Sequence, residues 1–223
     1  YYLALGLGYT TAFNRSIANL QADFREIRPT VLMSVPRVYE MIYAKLQDGL
    51  AKKSKFVRYL FDWAVEVGWR RFCRENGLPV EPSERAQLDE TVLPTLDEDV
   101  GVKVRAVFGG RMKAIFAGGA SLSATVARYF CAMGLPIRQV YGLTETSPII
   151  SFTADRMNHP DCVGWPVEDT EVRLGEHDEL QVRGPQVMQG YWQRPADTAR
   201  AFTEDGWFRT GDQADLSDGG RVR

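Results

Sequence analysis

Histidine and cysteine are both scarce in this chain. Its 223 residues include two His and three Cys. Cys73, Cys131 and Cys162 lie far apart and form no C-x-x-C pair. That argues against a disulfide framework and a cysteine-based zinc site, and fits a reducing cytoplasm. Only His159 and His177 can supply imidazole, so a His-rich metal centre or a Ser-His triad is poorly provided for. Net charge is also small, at −2, and nucleic acid is not an expected partner. Long apolar runs are missing. The opening stretch from Tyr1 to Phe13 is broken by Asn14 and Arg15, short of the roughly 20 residues a spanning helix needs. There is no initiator Met. The chain begins Tyr1-Tyr2-Leu3 and stops at Arg223 in what reads as the middle of a strand. Both ends are therefore expected to be cuts in a longer protein, and the lack of a signal peptide carries no information.

Hydrophobic residues make up 44% and charged residues 25%, an ordinary globular balance. The length allows one or two domains. Thr30 to Ser34 reads as a short buried strand. Ser34 is expected to cap a helix from Pro36 in which Val38, Met41, Ile42 and Leu46 recur at helical spacing. A second helix is expected from Lys55 to Glu75, with Phe56, Leu60, Trp63 and Val67 on one face and Gly77 and Pro79 as stops. Pro79 to Val100 is acidic and reads as a loop with a short helix. Strand Met112–Ala117, a turn at Gly118-Gly119-Ala120, and a helix capped by Ser121 or Ser123 come next. Val126, Ala127, Phe130 and Met133 lie inside that helix, Gly134 stops it, and strand Ile137–Tyr141 follows. This is a βαβ rhythm and predicts a largely parallel sheet. Beyond Asp161 the pattern changes to short strands at Glu171–Leu174 and Glu179–Arg183 and a short helix after Pro195. The expected architecture is α/β: a mixed, mostly parallel sheet with flanking helices over residues 1–160, and a smaller β-rich subdomain over 161–223.

Three segments carry the chemistry. Gly118-Gly119-Ala120-Ser121 follows a strand, and its glycines let backbone approach a planar ligand. On its own this reads as an ordinary tight strand-to-helix turn. Tyr141-Gly142-Leu143-Thr144-Glu145 sits at the carboxyl end of the next strand, where ligands of open α/β sheets collect. Tyr141 offers an aromatic face, Thr144 a hydroxyl for phosphate oxygen, and Glu145 a hard carboxylate for Mg²⁺; the plain alternative is a core Tyr leading into a polar loop. In Trp207-Phe208-Arg209-Thr210-Gly211-Asp212, an Asp on a glycine turn can accept from two vicinal ribose hydroxyls. Thr-Gly-Asp turns are common in any fold. Trp165 and Trp192 read as packing residues.

The order of these segments, with Gly184-Pro185 and Gly190-Tyr191 before the last, resembles the adenylate-forming (AMP-binding) superfamily of acyl-CoA synthetases, luciferases and peptide-synthetase adenylation domains. The resemblance covers nearly the whole chain and implies an internal piece of the large N-terminal domain. It implies that Gly118, Gly119 and Ala120 line the adenine and acyl pocket and that Tyr141 stacks on adenine, with Gly142 in the same nucleotide-binding set. Thr144 is then expected at the α-phosphate, Glu145 at Mg²⁺, and Asp212 at the ribose. The implied reaction uses ATP to turn a carboxylic acid into acyl-AMP and CoA to turn that into a thioester. Arg28-Pro29-Thr30, Ser34-Val35-Pro36-Arg37-Val38-Tyr39-Glu40 and Gly206 to Ala214 resemble the long-chain fatty acyl-CoA synthetase branch. Adenylation of another acid, or a non-catalytic nucleotide-binding protein of the same fold, are the alternatives.

Some features depart from the family pattern. His177-Asp178-Glu179-Leu180 stands where Gly-Glu-Leu is usual, and Ser121 where Pro is common. The family's phosphate loop with its Lys, and its small C-terminal domain with a second Lys, are expected outside residues 1–223. Localisation is expected to be cytoplasmic. Lys52, Lys53, Lys55, Arg58, Arg70, Arg71 and Arg74, with Phe56, Trp63 and Trp69 nearby, would suit peripheral contact with the inner membrane face. A solvated helix face with ion pairs to Asp62 and Glu66 is the simpler reading. Residues 1–223 by themselves are expected to show little or no ligase activity, which a pyrophosphate-exchange assay on the isolated piece checks; robust turnover would contradict it.

Overall fold

In a computed structural model the described residues are 6–154 and 157–223. They build two sheets. The larger has five strands: β1 (Val31–Ser34), β2 (Ala114–Gly118), β3 (Ile137–Tyr141), β4 (Ser151–Phe152) and β5 (Trp165–Pro166), in that spatial order. β1, β2 and β3 run parallel; β4 and β5 add antiparallel at one edge. The second sheet is antiparallel: β6 (Glu171–Leu174), β7 (Glu179–Arg183) and β8 (Phe208–Gln213). This is the mixed α/β architecture expected from the sequence.

The helices are α1 (Leu20–Ile27), α2 (Pro36–Ala51), α3 (Lys55–Asn76), α4 (Ala86–Leu96), α5 (Val102–Ala106), α6 (Ala124–Ala132) and α7 (Pro195–Ala201). The larger sheet and its helices share a core in which Ile115, Ala117 and Ile137 pack with Tyr39, Val67, Phe108, Ala127 and Phe130. Tyr39 of α2 donates to the Phe116 carbonyl across 2.8 Å, which satisfies a phenol that burial would otherwise strand. Leu60, Trp63 and Val67 of α3 join the core, but Phe56 does not and is 68% exposed. On β1 the side chains alternate, with Leu32 packed against the core and Val31 and Met33 exposed.

Two local expectations are corrected. Ser34 does not cap α2: it ends β1, Val35 takes the N-cap position without a side-chain bond, and Pro36 at the first turn needs no partner for a missing N–H. The acidic stretch 79–100 is more helical than expected. α4 continues through a π turn at Asp97–Gly101 into α5, with Pro94 inside α4. Its acidic residues are anchors as well as solvated charges. Asp89 is buried and accepts from Trp63 Nε1 at 3.0 Å, from Ser83 Oγ at 3.2 Å and from Arg70. Asp97 receives both terminal nitrogens of Arg105 at 2.7 Å, and Arg105 also donates to the Met133 carbonyl at the end of α6. Arg70 therefore faces Asp89, and Arg71 pairs with Glu75 at 4.0 Å.

α3 and α6 touch at a point that only glycine allows. A Cβ on buried Gly68 would stand 2.0 Å from the Ala132 carbonyl oxygen. Gly68→Ala is expected to cost about 1–3 kcal/mol or more by forcing the helices apart, read as a fall in thermal midpoint of the protein that carries this chain. The Arg105 guanidinium holds the Asp97 carboxyl below its usual value. A depressed carboxyl stabilises the fold above the unfolded value, about 3.9, and that contribution is lost as pH falls through the folded value. Asp97→Asn is expected to lower stability by about 0.5–1 kcal/mol near neutrality, after allowing for solvent screening. In paired pH–melting profiles, the gap from the parent protein should close in acid.

Candidate active site

The site sits at the carboxyl ends of the parallel strands. β2 ends at Gly118, which faces Val140 in the ladder, so Gly118-Gly119 and Tyr141-Gly142 leave the sheet side by side. A Cβ on Gly118 would lie 3.1 Å from the Val140 carbonyl oxygen, and Gly119 has φ 83°, a conformation that favours glycine. Ala120 follows, exposed at the start of the turn. Ser123 then takes the N-cap position of α6 without a side-chain hydrogen bond.

After Tyr141 the chain doubles back. Leu143 to Ser147 makes a short 3₁₀ turn, held by buried Thr146, whose hydroxyl accepts from the Leu143 N–H at 3.0 Å. The Ser147–Pro148 bond is cis, and the Ile150 N–H donates to the Tyr141 carbonyl at 2.8 Å. The return path crosses Gly142, where a Cβ would be 1.7 Å from the Pro148 carbonyl oxygen. The turn leaves Thr144 exposed and Glu145 half-buried.

The second sheet reaches the same place. Ile150 packs with Leu180, Val182 and Val222, and Tyr141 lies against that cluster. Asp212 does not sit on a simple turn, as its sequence context suggested. Thr210-Gly211-Asp212 lies within β8 as a bulge: Gln181 pairs Arg209 and Glu179 pairs Gln213, so two steps along β7 match four along β8. Gly211, at φ 76°, supplies the kink. Thr210 Oγ1 donates to the Leu180 carbonyl at 2.7 Å, and the Gly211 N–H donates to Glu179 at 3.2 Å. Asp212 is thereby thrown off the ladder towards β3, where the Tyr141 phenol donates to its Oδ2 at 2.6 Å. Burial, then the neighbouring Asp212 carboxylate, push the Tyr141 phenol well above its ordinary value.

Glu145 is met from the other side by a residue for which the sequence indicated no role. Tyr191 donates to Glu145 Oε1 at 2.9 Å, and the Met188 N–H donates to the Glu145 carbonyl at 2.7 Å. The signal was present in Gly190-Tyr191, noted only as part of a pattern. Gly118 and Gly119 thus lie at the end of β2, Tyr141 and Gly142 at the end of β3 with Thr144 and Glu145 in the turn that follows, and Asp212 reaches Tyr141 from the second sheet. Trp165 is a packing residue, with the Arg221 guanidinium 4.4 Å from its ring centroid. Trp192 is not: it is 87% exposed. The turn without the usual glycine is made with His177 and Asp178 both at positive φ, 56° and 60°.

The donor set suits magnesium carried in by a nucleotide. Among the described residues no group of three or more His, Cys, Asp or Glu could hold a metal ion. Glu145 offers a single hard oxygen site, with Oε1 engaged by Tyr191. Mg²⁺ commonly binds through one or two carboxylates plus phosphates and water.

Comparison with known proteins shows the family and the fold. The AMP-binding enzyme family matches residues 1–192. The long-chain-fatty-acid–CoA ligase FadD15 of Mycobacterium bovis is 34% identical over 211 residues, covering 95% of this chain and 34% of the relative. The long-chain-fatty-acid–CoA ligase 2 of Schizosaccharomyces pombe is 31% identical, covering 97% and 32%. The chain therefore spans about a third of the length of the curated relatives it matches. Among solved structures, ATP-bound MatB from Rhodopseudomonas palustris is similar in fold, with TM-score 0.63 and 22% identity over 100% of this chain and 35% of that one. A malonyl-CoA ligase complex with methylmalonyl-CoA and AMP aligns with TM-score 0.57 and 26% identity, covering 93% and 35%. Matched by the family over residues 1–192, most of its length, the chain belongs to the AMP-binding enzyme family.

Proposed function

We propose that the protein carrying this chain is a long-chain fatty acid–CoA ligase, an acid–thiol ligase that forms acyl-AMP from ATP and a fatty acid and then passes the acyl group to CoA. The observation that carries the proposal is the Tyr141–Asp212 hydrogen bond, made at the carboxyl end of β3, beside Gly118 and just before the turn that holds Thr144 and Glu145. An aromatic ring, a bare backbone, a hydroxyl and two carboxylates are what base, ribose, phosphate and its counter-ion require. The names of the relatives at 31–34% identity support the long-chain acid.

In this reading the Tyr141 ring and the backbone of Gly118, Gly119 and Ala120 bracket adenine, and Gly142 belongs to the same set by letting the chain return past it at Pro148. Asp212 accepts from the ribose hydroxyls, and the Thr144 hydroxyl donates to an α-phosphate oxygen. Glu145 would hold Mg²⁺, which when bound supplies positive charge where two anions must meet. The fatty carboxylate oxygen attacks the α-phosphorus. The bond to the bridging oxygen breaks, and its electron pair leaves with pyrophosphate. The CoA sulfur, as thiolate, then attacks the acyl carbon and AMP departs. The substrate's own oxygen is the nucleophile, so no protein thiol is needed. Cys73, Cys131 and Cys162 are buried, and burial pushes the Cys131 thiol up to about 12.

The proposed division is an AMP-binding part over residues 1–160 and a β-rich part over 161–223 that brings Asp212 to it, with β5 (Trp165–Pro166) returning to the larger sheet before the second sheet begins at Glu171. Among the described residues no helix is long and apolar enough to cross a membrane. The proposal places the enzyme in the cytoplasm. Exposed Lys52, Lys53, Lys55 and Arg58 beside exposed Phe56 offer a peripheral contact with an anionic inner leaflet. A second reading, adenylation of a different acid, is favoured by the likeness to the solved malonyl-CoA ligase.

Acid-dependent exchange of pyrophosphate into ATP by the complete protein, over a panel from malonate to long-chain acids, tests the proposal. Long-chain acids are expected to support the fastest exchange. Glu145→Gln is expected to lower it by about 100-fold, the scale of losing one charge-stabilising group. Asp212→Asn should raise the KM for ATP by roughly 10- to 100-fold through a lost charged hydrogen bond. Preference for malonate would favour the second reading, and exchange unaffected by either substitution would overturn the site.

A further inference from the structure

Each carboxylate of the site is met by a phenol from the opposite sheet. Tyr141, at the end of β3, donates to Asp212 in β8; Tyr191, in the loop after β7, donates to Glu145, in the turn after β3. The two contacts run in opposite senses, so each sheet contributes one tyrosine and one acid. Tyr141 is already part of the nucleotide site. Tyr191 is not, and its placement is well determined. Its N–H donates to Thr198 Oγ1 at 2.9 Å, and that hydroxyl donates to the Arg194 carbonyl at 3.0 Å. Gly190, with φ 149°, lies so close to Thr198 that a Cβ would be 2.6 Å from its Cγ2. α7 thus holds the backbone at Gly190 and Tyr191 through Thr198.

Glu145 is consequently held twice by one loop, at its carbonyl by Met188 and at Oε1 by Tyr191. A carboxylate only accepts, so the phenol must be the donor. One carboxylate oxygen is then oriented and the other is left for a cation. Partners behind a metal-binding carboxylate typically account for 10- to 100-fold in metal affinity.

We propose that Tyr191 is a positioning residue: it fixes the Glu145 carboxylate from the second sheet, so that the β-rich part sets how tightly the site takes magnesium with its nucleotide. This rests on the nucleotide reading above. The test is calorimetric binding of ATP to the complete protein, without fatty acid or CoA, titrated with MgCl₂ and repeated in EDTA. The proteins are the parent, Tyr191→Phe, Glu145→Gln and the double variant. Tyr191→Phe is expected to raise the Mg²⁺ concentration for half-maximal ATP binding by roughly 10-fold. ATP binding in EDTA should change by less than about two-fold, and the thermal midpoint by less than about 2 °C. In the Glu145→Gln background the same change should add almost nothing, because the partner it orients is gone. An unchanged Mg²⁺ half-point in Tyr191→Phe, or an equal further loss in the double variant, overturns the role of Tyr191 alone. Absence of ATP binding by the parent protein sinks the nucleotide reading and this role with it.

Discussion

The close crossing at Gly142 is the constraint on which the site depends. The chain leaves β3, makes one turn and comes back so tightly that the Pro148 carbonyl occupies the space of a side chain at position 142. That return sets three things at once. It closes the turn that presents Thr144 and Glu145, with Thr146 buried as its internal brace. It lets the Ile150 N–H bond to the Tyr141 carbonyl, continuing the sheet into β4. And it puts Ile150 where the second sheet needs an apolar seat, against Leu180 and Val182. A single glycine therefore couples the geometry of two polar groups to the docking of another sheet.

The polar contacts complete what that packing begins. Hydrophobic burial around Ile150 is non-directional, and by itself it would not orient a carboxylate. The two tyrosine–carboxylate bonds supply direction, one from each sheet. The bulge in β8 is the other half of this arrangement. A regular ladder would leave Asp212 within the sheet, whereas the extra residues at Thr210 and Gly211 project it towards β3. Strand bulges next to ligand sites commonly re-aim a side chain in this way.

Much of the fold was legible because periodicity and punctuation are local. β3, β6 and β7 occupy the spans that the βαβ rhythm and the Gly and Pro punctuation indicated, and the helix after Pro195 is α7. Gly77, at φ 68°, ends α3 as its position suggested. Where the sequence misled, a distant partner decided the outcome. Asp89 looked like loop charge because its partners, Trp63 and Arg70, lie on another helix. Trp192 reads as a packing residue, yet it projects into solvent next to Tyr191. Ser34 looked like a helix cap, but the β1 ladder continues through it to pair with Ala117.

By itself, the sequence determined the parallel α/β rhythm, the membership of the superfamily, and which side chains are candidates for a nucleotide site. Those are properties of residue type and short-range spacing, carried by a few consecutive residues. The tertiary structure alone decided that Tyr141 and Asp212, 71 positions apart, share a hydrogen bond, and that Tyr191 closes on Glu145 across 46. Neither contact leaves a periodic trace. Each depends on how one sheet seats against another, and the packing around Ile150 and the bulge at Gly211 fix that only once the whole chain has folded.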